Sequence, residues 1–509
     1  MFEYKNIKRN AIGLIIISFI SQILGFLREI VVAYYFGLSN QIDAYQVAEV
    51  IPLLITQIFV TTFPLMLIPT LLKHTSIEGN RFSKGEDLIS TVVIGVSSII
   101  SILTIVIMLV PGIFIYIIAP GLDLETRRLA ILLTRILAPN TLFITIYALY
   151  GAILGAYKKF LAPAICGLLL NLCIILALFS SANSIGIFSM AYGFLTAGFL
   201  MFIFISIYFT RLNKGVIKVR FYDKALFKDF IKNVLPVIIG SSMISINLII
   251  DRNMASLLGT GAIAALAYSY KIINMCNIIL VSPINKVIFT DLSMDATEGR
   301  INQVIVRFRK SMKLIIALII PLSMFIIVLK VPIITFIFKR GNFDSIAVLT
   351  TANCMSMYGI GLLAISINLV MSMIFYSSHL VKVPLLMGSL TIVLNILLNY
   401  VFSRFIGVSG IALGTSISAI MVLPLWYYEV KKHFSVAIFK EDSIFIIKNI
   451  LISFVSGLVL TAILNINTIK SLNAFFILAI SGIVGLGLIL IFGYKLYSTE
   501  FGSINIKET

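Results

Sequence analysis

The stretch Ser21–Gly37, SQILGFLREIVVAYYFG, decides how the rest of the chain is interpreted. It places Arg28 and Glu29 inside an apolar segment that runs from Ala11 to Phe36. An arginine near the middle of a bilayer costs roughly 2.5–3.5 kcal/mol on insertion scales, so it is retained only where it faces protein or a water-filled cavity. Because adjacent residues on a helix do not face each other, we expect Arg28 to point away from Glu29. Two interpretations follow: a structural ion pair with an acidic residue on another helix, or an anion-binding residue in a membrane cavity.

The composition is that of a polytopic helical membrane protein. Of the 509 residues, 60% are hydrophobic and only 12% are charged, which excludes an ordinary soluble domain. The net charge of +18 would favour nucleic-acid binding in a soluble chain, but here it indicates basic loops on the cytoplasmic side of a membrane. The four cysteines lie within apolar segments and the three histidines are scattered, so neither a disulfide framework nor a metal centre built on them is expected.

The predicted fold class is an all-α polytopic membrane protein with about 14 transmembrane helices. Each of these segments approaches the roughly 20 apolar residues that a spanning helix needs. Of the 39 lysines and arginines, 27 fall on the side of the N-terminus and six on the opposite side, which predicts both termini in the cytoplasm. The segments lie near residues 11–36, 45–72, 88–118, 129–156, 160–181, 185–210, 233–258, 262–291, 314–338, 349–376, 383–403, 406–429, 446–467 and 471–494.

An internal repeat relates the two halves of the chain. Five proline and small residues recur with an offset of 221, and the motif IGxxxxAxG occurs at Ile185–Gly193 and again at Ile406–Gly414. Small-residue helix contacts alone produce some coincidences, but five at one offset favour duplication of a six-helix unit. Copies with an even number of helices share one topology, which predicts two lobes related by a pseudo-two-fold axis along the membrane normal, with a cavity between them.

The repeat also predicts the domain organisation. The basic segment between the copies is amphipathic and suits the anionic inner leaflet, although a plain solvated loop is an open alternative. The predicted domains are 1–210 as the N-terminal lobe with helices 1–6, 211–232 as the cytoplasmic linker, 233–429 as the C-terminal lobe with helices 7–12, and 430–509 as two additional helices and the tail.

Charged residues cluster in the first two helices of each predicted copy. Two facing cationic surfaces would suit an anionic headgroup such as a pyrophosphate, because Arg binds phosphate oxygens bidentately and Lys acts as a point charge. No phosphate loop, nucleophile elbow or HExxH motif occurs, so a transporter rather than an enzyme is expected, driven by an ion gradient, the membrane potential or substrate flux. The clustered residues are Arg28, Glu29, Asp43 and Glu49 in the first copy and Asp251, Arg252, Lys271 and Lys286 in the second.

A second constellation consists of Asn395, Asn399 and Thr415. The two asparagines are four residues apart and share one face of a helix. If Asp251 lies nearby, one carboxylate, two amides and a hydroxyl would form an oxygen shell suited to a small alkali cation. The alternative is that the asparagines hold neighbouring helices together through hydrogen bonds.

Three segments resemble the MurJ (MviN) family of lipid II flippases, which belong to the multidrug/oligosaccharidyl-lipid/polysaccharide exporter superfamily. They are SQILGFLREIVVAYYFGLSNQIDAY from Ser21, TRILAPNTLFITIYALYGAILGAYKKFLAPAICGLLLN from Thr134, and DRNMASLLGTGAIAALAYSYK from Asp251. The resemblance covers nearly the whole chain. It implies translocation of undecaprenyl-diphosphate-linked peptidoglycan precursor from the inner to the outer leaflet of the bacterial cytoplasmic membrane by alternating access. The partners expected are a lipid-linked glycan and membrane lipids without nucleic acid, and a self-contained cavity makes a monomer sufficient.

By position, the resemblance also implies roles for individual residues. Arg28 matches a family arginine in the central cavity, Asp43 matches its acidic partner on the outer side, and Lys271 falls where the family has a cavity arginine. With Arg252, these residues form the expected substrate-binding set. No cofactor is expected except a sodium ion, whose implied ligands are Asp251, Asn395, Asn399, Thr415 and the backbone carbonyl of Ile411, with Asn399 in place of an acidic ligand.

The chain also departs from the family pattern. Gln22, Thr56 and Gln57 stand where the family has arginines, so expected cavity cations are absent. Because a diphosphate headgroup needs positive charge, a flippase for another polyprenyl-linked glycan, of capsule or teichoic type, is an open alternative. A cation-coupled drug exporter is a further alternative, although its cavity should be acidic. A scaffold that has lost transport is the last alternative.

Overall fold

The chain folds almost entirely into helices. The computed structural model describes residues 2–55, 59–60, 63, 67, 77–78, 81–82, 86–157, 159–212, 224–298, 300–378, 380–434, 443–470 and 472–501. Within these ranges, twelve helical segments are long and apolar enough to cross a membrane, and each overlaps a predicted span. The prediction of an all-α, multi-pass membrane protein is therefore confirmed. Of the two remaining predicted spans, 45–72 lies partly outside the described residues, and 233–258 overlaps the helix Lys224–Ser256 up to Ser256.

The chain divides into two compact units, Met1–Ile263 and Ala264–Thr509. In the first, the helix Leu161–Ile185 packs on the first helix and on the helix that follows it, Phe188–Leu212. A two-residue strand pair lies between the second and third predicted spans. The elements of this unit are α1 (Phe2–Phe36), α2 (Asn40–Ala48), β1 (Ile77–Glu78), β2 (Arg81–Phe82), α3 (Glu86–Leu109), α4 (Pro111–Ile118), α5 (Leu124–Leu137), α6 (Pro139–Ala156), α7 (Leu161–Ile185), α8 (Phe188–Leu212) and α9 (Lys224–Ser256).

The second unit is built around one long helix near its centre, α16, which packs against the two helices that precede it. Its elements are α10 (Ala262–Cys276), a π-helical turn (Asn277–Val281), α11 (Ser282–Thr297), α12 (Ile301–Val328), α13 (Lys330–Phe338), α14 (Ser345–Ser377), α15 (Lys382–Ile406), α16 (Val408–Phe434), α17 (Ser443–Leu464), α18 (Asn467–Lys470) and α19 (Ala474–Phe501).

Three segments predicted as single spans are interrupted in the structure. The predicted span 88–118 breaks at Val110, between α3 and α4, and 129–156 breaks at Ala138, between α5 and α6. In both cases a proline, Pro111 or Pro139, begins the next helix, because proline cannot donate the hydrogen bond that would continue the preceding one. The predicted span 314–338 breaks similarly between α12 and α13.

The internal repeat is visible in the helix bounds. Helices α7 and α15 both have 25 residues, and their first and last residues are 221 positions apart. Each ends at a glycine, Gly186 or Gly407, with φ 58° and ψ −136°. Only glycine adopts this backbone conformation without strain, so the same local rule ends the helix in both halves.

The segment predicted as a linker, 211–232, has two structural parts among the described residues. Arg211 and Leu212 end α8, and residues from Lys224 onward form the first turns of α9, while 213–223 lie outside the described residues. Helix α9 belongs by its contacts to the first compact unit, although the sequence repeat assigns it to the second copy. Its contacts with α3 and α4 account for this grouping.

We predict that Gly407→Ala lowers the free energy of unfolding by about 1–3 kcal/mol, because alanine is strained at this backbone conformation. An added methyl group at Gly407 meets no atom within 4 Å, so the cost is conformational. Gly388→Ala in α15 is the matched control, since its methyl group also meets no atom within 4 Å and alanine favours a helix. Thermal unfolding of the purified protein measures both. Equal melting temperatures for the two variants would contradict the prediction.

Candidate functional site

Arg28 forms an ion pair with its chain neighbour. Its Nη2 lies 2.7 Å from Oε1 of Glu29, and Nε lies 3.3 Å from the same oxygen. The expectation that Arg28 points away from Glu29 is therefore wrong. Both side chains are long enough to bend sideways around α1 and meet, and an unpaired charge in an apolar span is costly enough to favour that bend.

The second helix adds a tyrosine and a carboxylate to this pair. Tyr45 is completely buried, and its hydroxyl has no hydrogen-bond partner among the described residues. Glu49 follows directly after α2, four residues from Tyr45, and interacts electrostatically with both Tyr45 and Arg28. The guanidinium of Arg28 therefore faces two carboxylates, which is less cationic than the sequence suggested.

Arg252, near the end of α9, is bound to a neutral residue of α2. It donates hydrogen bonds to the backbone carbonyl of Gln46 and, from Nη2 at 3.1 Å, to the side-chain oxygen of Gln46. Only 7% of Arg252 is exposed. In this conformation its guanidinium holds α9 to α2, so the substrate-binding role predicted for Arg252 requires these bonds to break.

Asp43 binds a backbone amide at the turn that precedes α10. Its Oδ2 accepts a hydrogen bond of 2.5 Å from the backbone N–H of Gly261, and the side chain is 2% exposed. A carboxylate is favoured at such a helix start by the helix dipole. Gly261 has φ +80°, and a methyl group there would lie 2.7 Å from the carbonyl oxygen of Leu38. Glycine at this position therefore permits the close approach.

Two further bonds tie α9 to the last turn of α4 and to the turn that follows it. The backbone N–H of Gly121 donates to Oγ of Ser256 at 3.0 Å, and Nδ2 of Asn253 donates to the carbonyl of Ile117 at 2.8 Å. A methyl group on Gly121 would lie 2.5 Å from the carbonyl oxygen of Ser256. We call the whole set of bonds the latch; its residues are Asp43, Gln46, Ile117 and Gly121 on one side and Arg252, Asn253, Ser256 and Gly261 on the other.

The asparagine constellation of the second unit forms a chain of hydrogen bonds between α15 and α16. Nδ2 of Asn399 donates to Oδ1 of Asn395 at 3.0 Å, and Nδ2 of Asn395 donates to Oγ1 of Thr415 at 3.0 Å. Thr415 in turn donates to the carbonyl of Ile411 at 3.2 Å. This geometry is that of interhelical hydrogen bonding, the alternative to a sodium site. A sodium ion would have to replace these bonds, and Asp251, the predicted carboxylate ligand, belongs to the first unit.

The first copy of the repeat lacks this polar chain. The residues at the same repeat positions as Asn395, Asn399 and Thr415 are Ile174, Leu178 and Phe194. Both copies nevertheless bring the two helices close together at a glycine. A methyl group on Gly414 would lie 2.8 Å from the backbone nitrogen of Asn399, and one on Gly193 would lie 2.8 Å from Cβ of Ala177. The packing is therefore duplicated while the polar chemistry is specific to the second copy.

Lys271 lies half-buried in α10, six residues before the π-helical turn. Asn277 begins that turn, and its Oδ1 accepts a hydrogen bond of 2.8 Å from Ser366 on α14. Short π-helical turns inside α-helices are frequent at functional sites. Gln22 is exposed on α1, whereas Thr56 and Gln57 lie outside the described residues, as does the side chain of Lys286.

Sequence reasoning found Arg28, Glu29, Asp43, Glu49, Asp251 and Arg252, all of which lie in the first unit. It missed Gln46, Gly121, Asn253 and Ser256, which complete the latch. Three of the four bonds that these residues make across the latch involve a backbone group on one side, and such groups leave no signal in side-chain chemistry. A weak signal was available in the small residues Gly121 and Ser256 at predicted span ends.

The chain matches one family model and several curated relatives. The family model is described as "Lipid II flippase MurJ" and matches residues 32–481. A probable lipid II flippase MurJ of Buchnera aphidicola subsp. Acyrthosiphon pisum is 28% identical over 512 residues, which cover 96% of this chain and 98% of the relative. The lipid II flippase MurJ of Burkholderia cenocepacia is 25% identical, with 82% of each chain covered.

Solved structures share the fold. A lipid II flippase MurJ in an inward closed conformation matches with a TM-score of 0.80 at 26% identity, covering 96% of this chain and 99% of that chain. A multidrug resistance MATE family transporter of the MOP superfamily, in an inward-facing conformation, matches with a TM-score of 0.66 at 14% identity, covering 84% and 98%. The second likeness concerns the fold alone.

We predict that Gly261→Ala opens the latch as a unit. The added methyl group collides with the carbonyl of Leu38, so the Asp43 bond is lost and the neighbouring bonds weaken. The rate of amide hydrogen exchange at residues 119–122, which include the bonded Gly121, should rise by about tenfold. A tenfold change corresponds to about 1.4 kcal/mol, which is the scale of one or two hydrogen bonds.

Gly259→Ala is the control for this measurement. Gly259 has φ +98° and no atom within 4 Å of an added methyl group, so alanine there adds backbone strain without the collision. The same increase in exchange at residues 119–122 in both variants would show that strain alone, and not a connected latch, determines the result.

Proposed function

The chain belongs to the family of lipid II flippases MurJ, and on this premise we propose that it moves lipid II from the inner to the outer leaflet of the cytoplasmic membrane. The observation that carries the proposal is Arg28, a guanidinium inside the apolar first span of a chain that matches the family. A diphosphate inside a membrane needs a cationic partner, and the planar fork of an arginine suits its oxygens. The protein is a transporter, not an enzyme.

Binding would begin with an exchange of partners at Arg28. The edge of the guanidinium that holds Glu29, formed by Nε and Nη2, is the edge that a phosphate group would use. The diphosphate would therefore take the place of the Glu29 carboxylate. We propose Lys271 as a second cation, acting as a point charge without the fork of the arginine that the family resemblance implies there.

The latch would close one side of the membrane during this step. Its residues lie at or just beyond the ends of α1, α4 and α9. These helices end the first, third and seventh predicted spans, so the latch lies on one face of the membrane. With the N-terminus in the cytoplasm, as the distribution of basic residues predicts, that face is the outer one. Release of the bonds made by Asp43 and Arg252 would then open the cargo site outward, and their return would reset it.

We propose the membrane potential as one source of energy for this cycle. An anionic headgroup that moves outward across a membrane with a negative interior gains about 2.3 kcal/mol per charge per 100 mV. Coupling to sodium would require the ion to displace the bonds among Asn395, Asn399 and Thr415, so the sodium site stays a prediction. All steps involve residues of one chain, so we propose that a monomer suffices.

A second candidate function is the transport of another polyprenyl-linked glycan. Two observations favour it: Gln22 is uncharged where the family resemblance implies an arginine, and Glu49 adds a carboxylate near Arg28. Both lower the positive charge available to a diphosphate. Complementation of strains that lack a capsule or teichoic-type flippase would distinguish this function from lipid II transport.

We predict that the wild-type gene rescues a conditional depletion of the host's lipid II flippase and that Arg28→Ala does not. Loss of a charged hydrogen bond costs about 1.5–3 kcal/mol, and Arg28→Lys should rescue partly because the charge remains. Arg135→Ala is the matched control, since Arg135 is an exposed arginine of another span. Membrane levels are compared by immunoblot. Full rescue by Arg28→Ala at equal membrane levels would contradict the proposed role of Arg28.

A further inference from the structure

Five residues of the first unit form a group that we call the charge cluster: Arg28, Glu29, Tyr45, Glu49 and Arg252. The cluster contains two arginines and two carboxylates, so its formal charge is balanced when no anion is bound. Glu29 is paired directly with Arg28, at 2.7 Å. Arg252 has its hydrogen bonds with Gln46, which is neutral. The carboxylate that interacts with both arginines is Glu49.

The position of Glu49 follows from the geometry of α2. Gln46 and Tyr45 precede it by three and four residues, which places all three on one face of the helix. Gln46 binds Arg252 on that face, and Tyr45 lies completely buried beside Arg28. The Tyr45 hydroxyl has no hydrogen-bond partner among the described residues although three charged groups surround it. Such a buried hydroxyl is free to donate to an anion.

Other elements around α2 add few charges to this face. Helix α5 packs on α2 through a buried face that carries no ionisable group among Thr126, Ala130, Leu133, Thr134 and Leu137. On α9, Asp251 interacts electrostatically with Arg252. Within the span Ile16–Phe36 of α1, the charged groups are Arg28 and Glu29 themselves. A further anion would therefore meet an already balanced or slightly acidic environment.

From this balance we propose that the binding of a lipid diphosphate at Arg28 is linked to the uptake of a proton by Glu49. The inference rests on the proposed function and concerns how the negative charge of the bound diphosphate is compensated at the same site. A diphosphate adds negative charge beside two carboxylates in a span where unbalanced charge is costly. Glu49 can relieve this cost by taking one proton from water to form the neutral acid, while Glu29 loses its partner to the ligand. The proton offsets one of the negative charges that the ligand brings to the cluster.

Thermodynamic linkage gives the sign of the effect. If the complex binds one more proton than the free protein, the affinity for the diphosphate rises as pH falls, by up to about tenfold per pH unit. Glu49→Gln mimics the protonated acid. It should bind the ligand at neutral pH about as tightly as the wild type does under acidic conditions, and with a shallower dependence on pH.

The test is isothermal titration calorimetry of the full-length protein in nanodiscs with farnesyl diphosphate, between about pH 5.5 and pH 8. Repeating each titration in two buffers of different ionisation enthalpy measures the protons taken up on binding. Protonation of the probe itself is common to all variants and cancels when they are compared. Glu125→Gln is the matched control, because Glu125 is an exposed carboxylate on α5.

We expect the wild type and Glu125→Gln to take up the same fraction of a proton, and Glu49→Gln to take up clearly less. Equal uptake by Glu49→Gln and the wild type would overturn the inference and leave the proposed function intact. Loss of uptake in Glu29→Gln but not in Glu49→Gln would also overturn it, by assigning the proton to Glu29. Absence of binding by every variant, Glu49→Gln included, would instead count against diphosphate recognition and therefore against the proposed function.

Discussion

The first unit depends on the rule that a charge inside an apolar helix must be balanced within the protein. An ion left unpaired there costs several kcal/mol. Arg28 is balanced by the adjacent Glu29, and Arg252 is held by the carbonyl and side-chain oxygens of Gln46. Neither arginine is available to an anion without a change of partner. These contacts stabilise the unit in this conformation, and the proposed binding of a diphosphate requires them to break.

The two copies of the repeat share the packing of their helices but differ in the chemistry of the side chains between them. Gly186 and Gly407 end equivalent helices with the same backbone angles, and Gly193 and Gly414 allow equivalent helix pairs to approach. These are requirements of the backbone, which every copy must meet. Side chains between the helices are less constrained. An apolar contact in the first copy therefore corresponds to the hydrogen-bonded chain that begins at Asn399 in the second.

Composition and apolar periodicity were sufficient to predict the multi-pass helical fold, because a bilayer admits few alternatives. Residue pairing was harder to predict. The rule that adjacent residues on a helix do not face each other failed for Arg28 and Glu29. It describes the directions of the Cβ atoms and ignores how far long side chains can reach. The latch could not be predicted either, because the bonds of Gly121 and Gly261 are made by backbone groups brought together by the fold. The breaks before Pro111 and Pro139 were readable from the prolines and were overlooked because the flanking apolar runs are continuous.

The central claim is that this chain moves lipid II and that Arg28 binds its diphosphate. The most direct measurement uses proteoliposomes with fluorescent lipid II in both leaflets and an impermeant quencher outside. Wild-type protein should expose the inner-leaflet pool to the quencher, and Arg28→Ala should slow this by at least about tenfold, corresponding to about 1.4 kcal/mol. Equal rates for Arg28→Ala and the wild type would contradict the role of Arg28. Transfer of a different polyprenyl-linked glycan in place of lipid II would contradict the cargo.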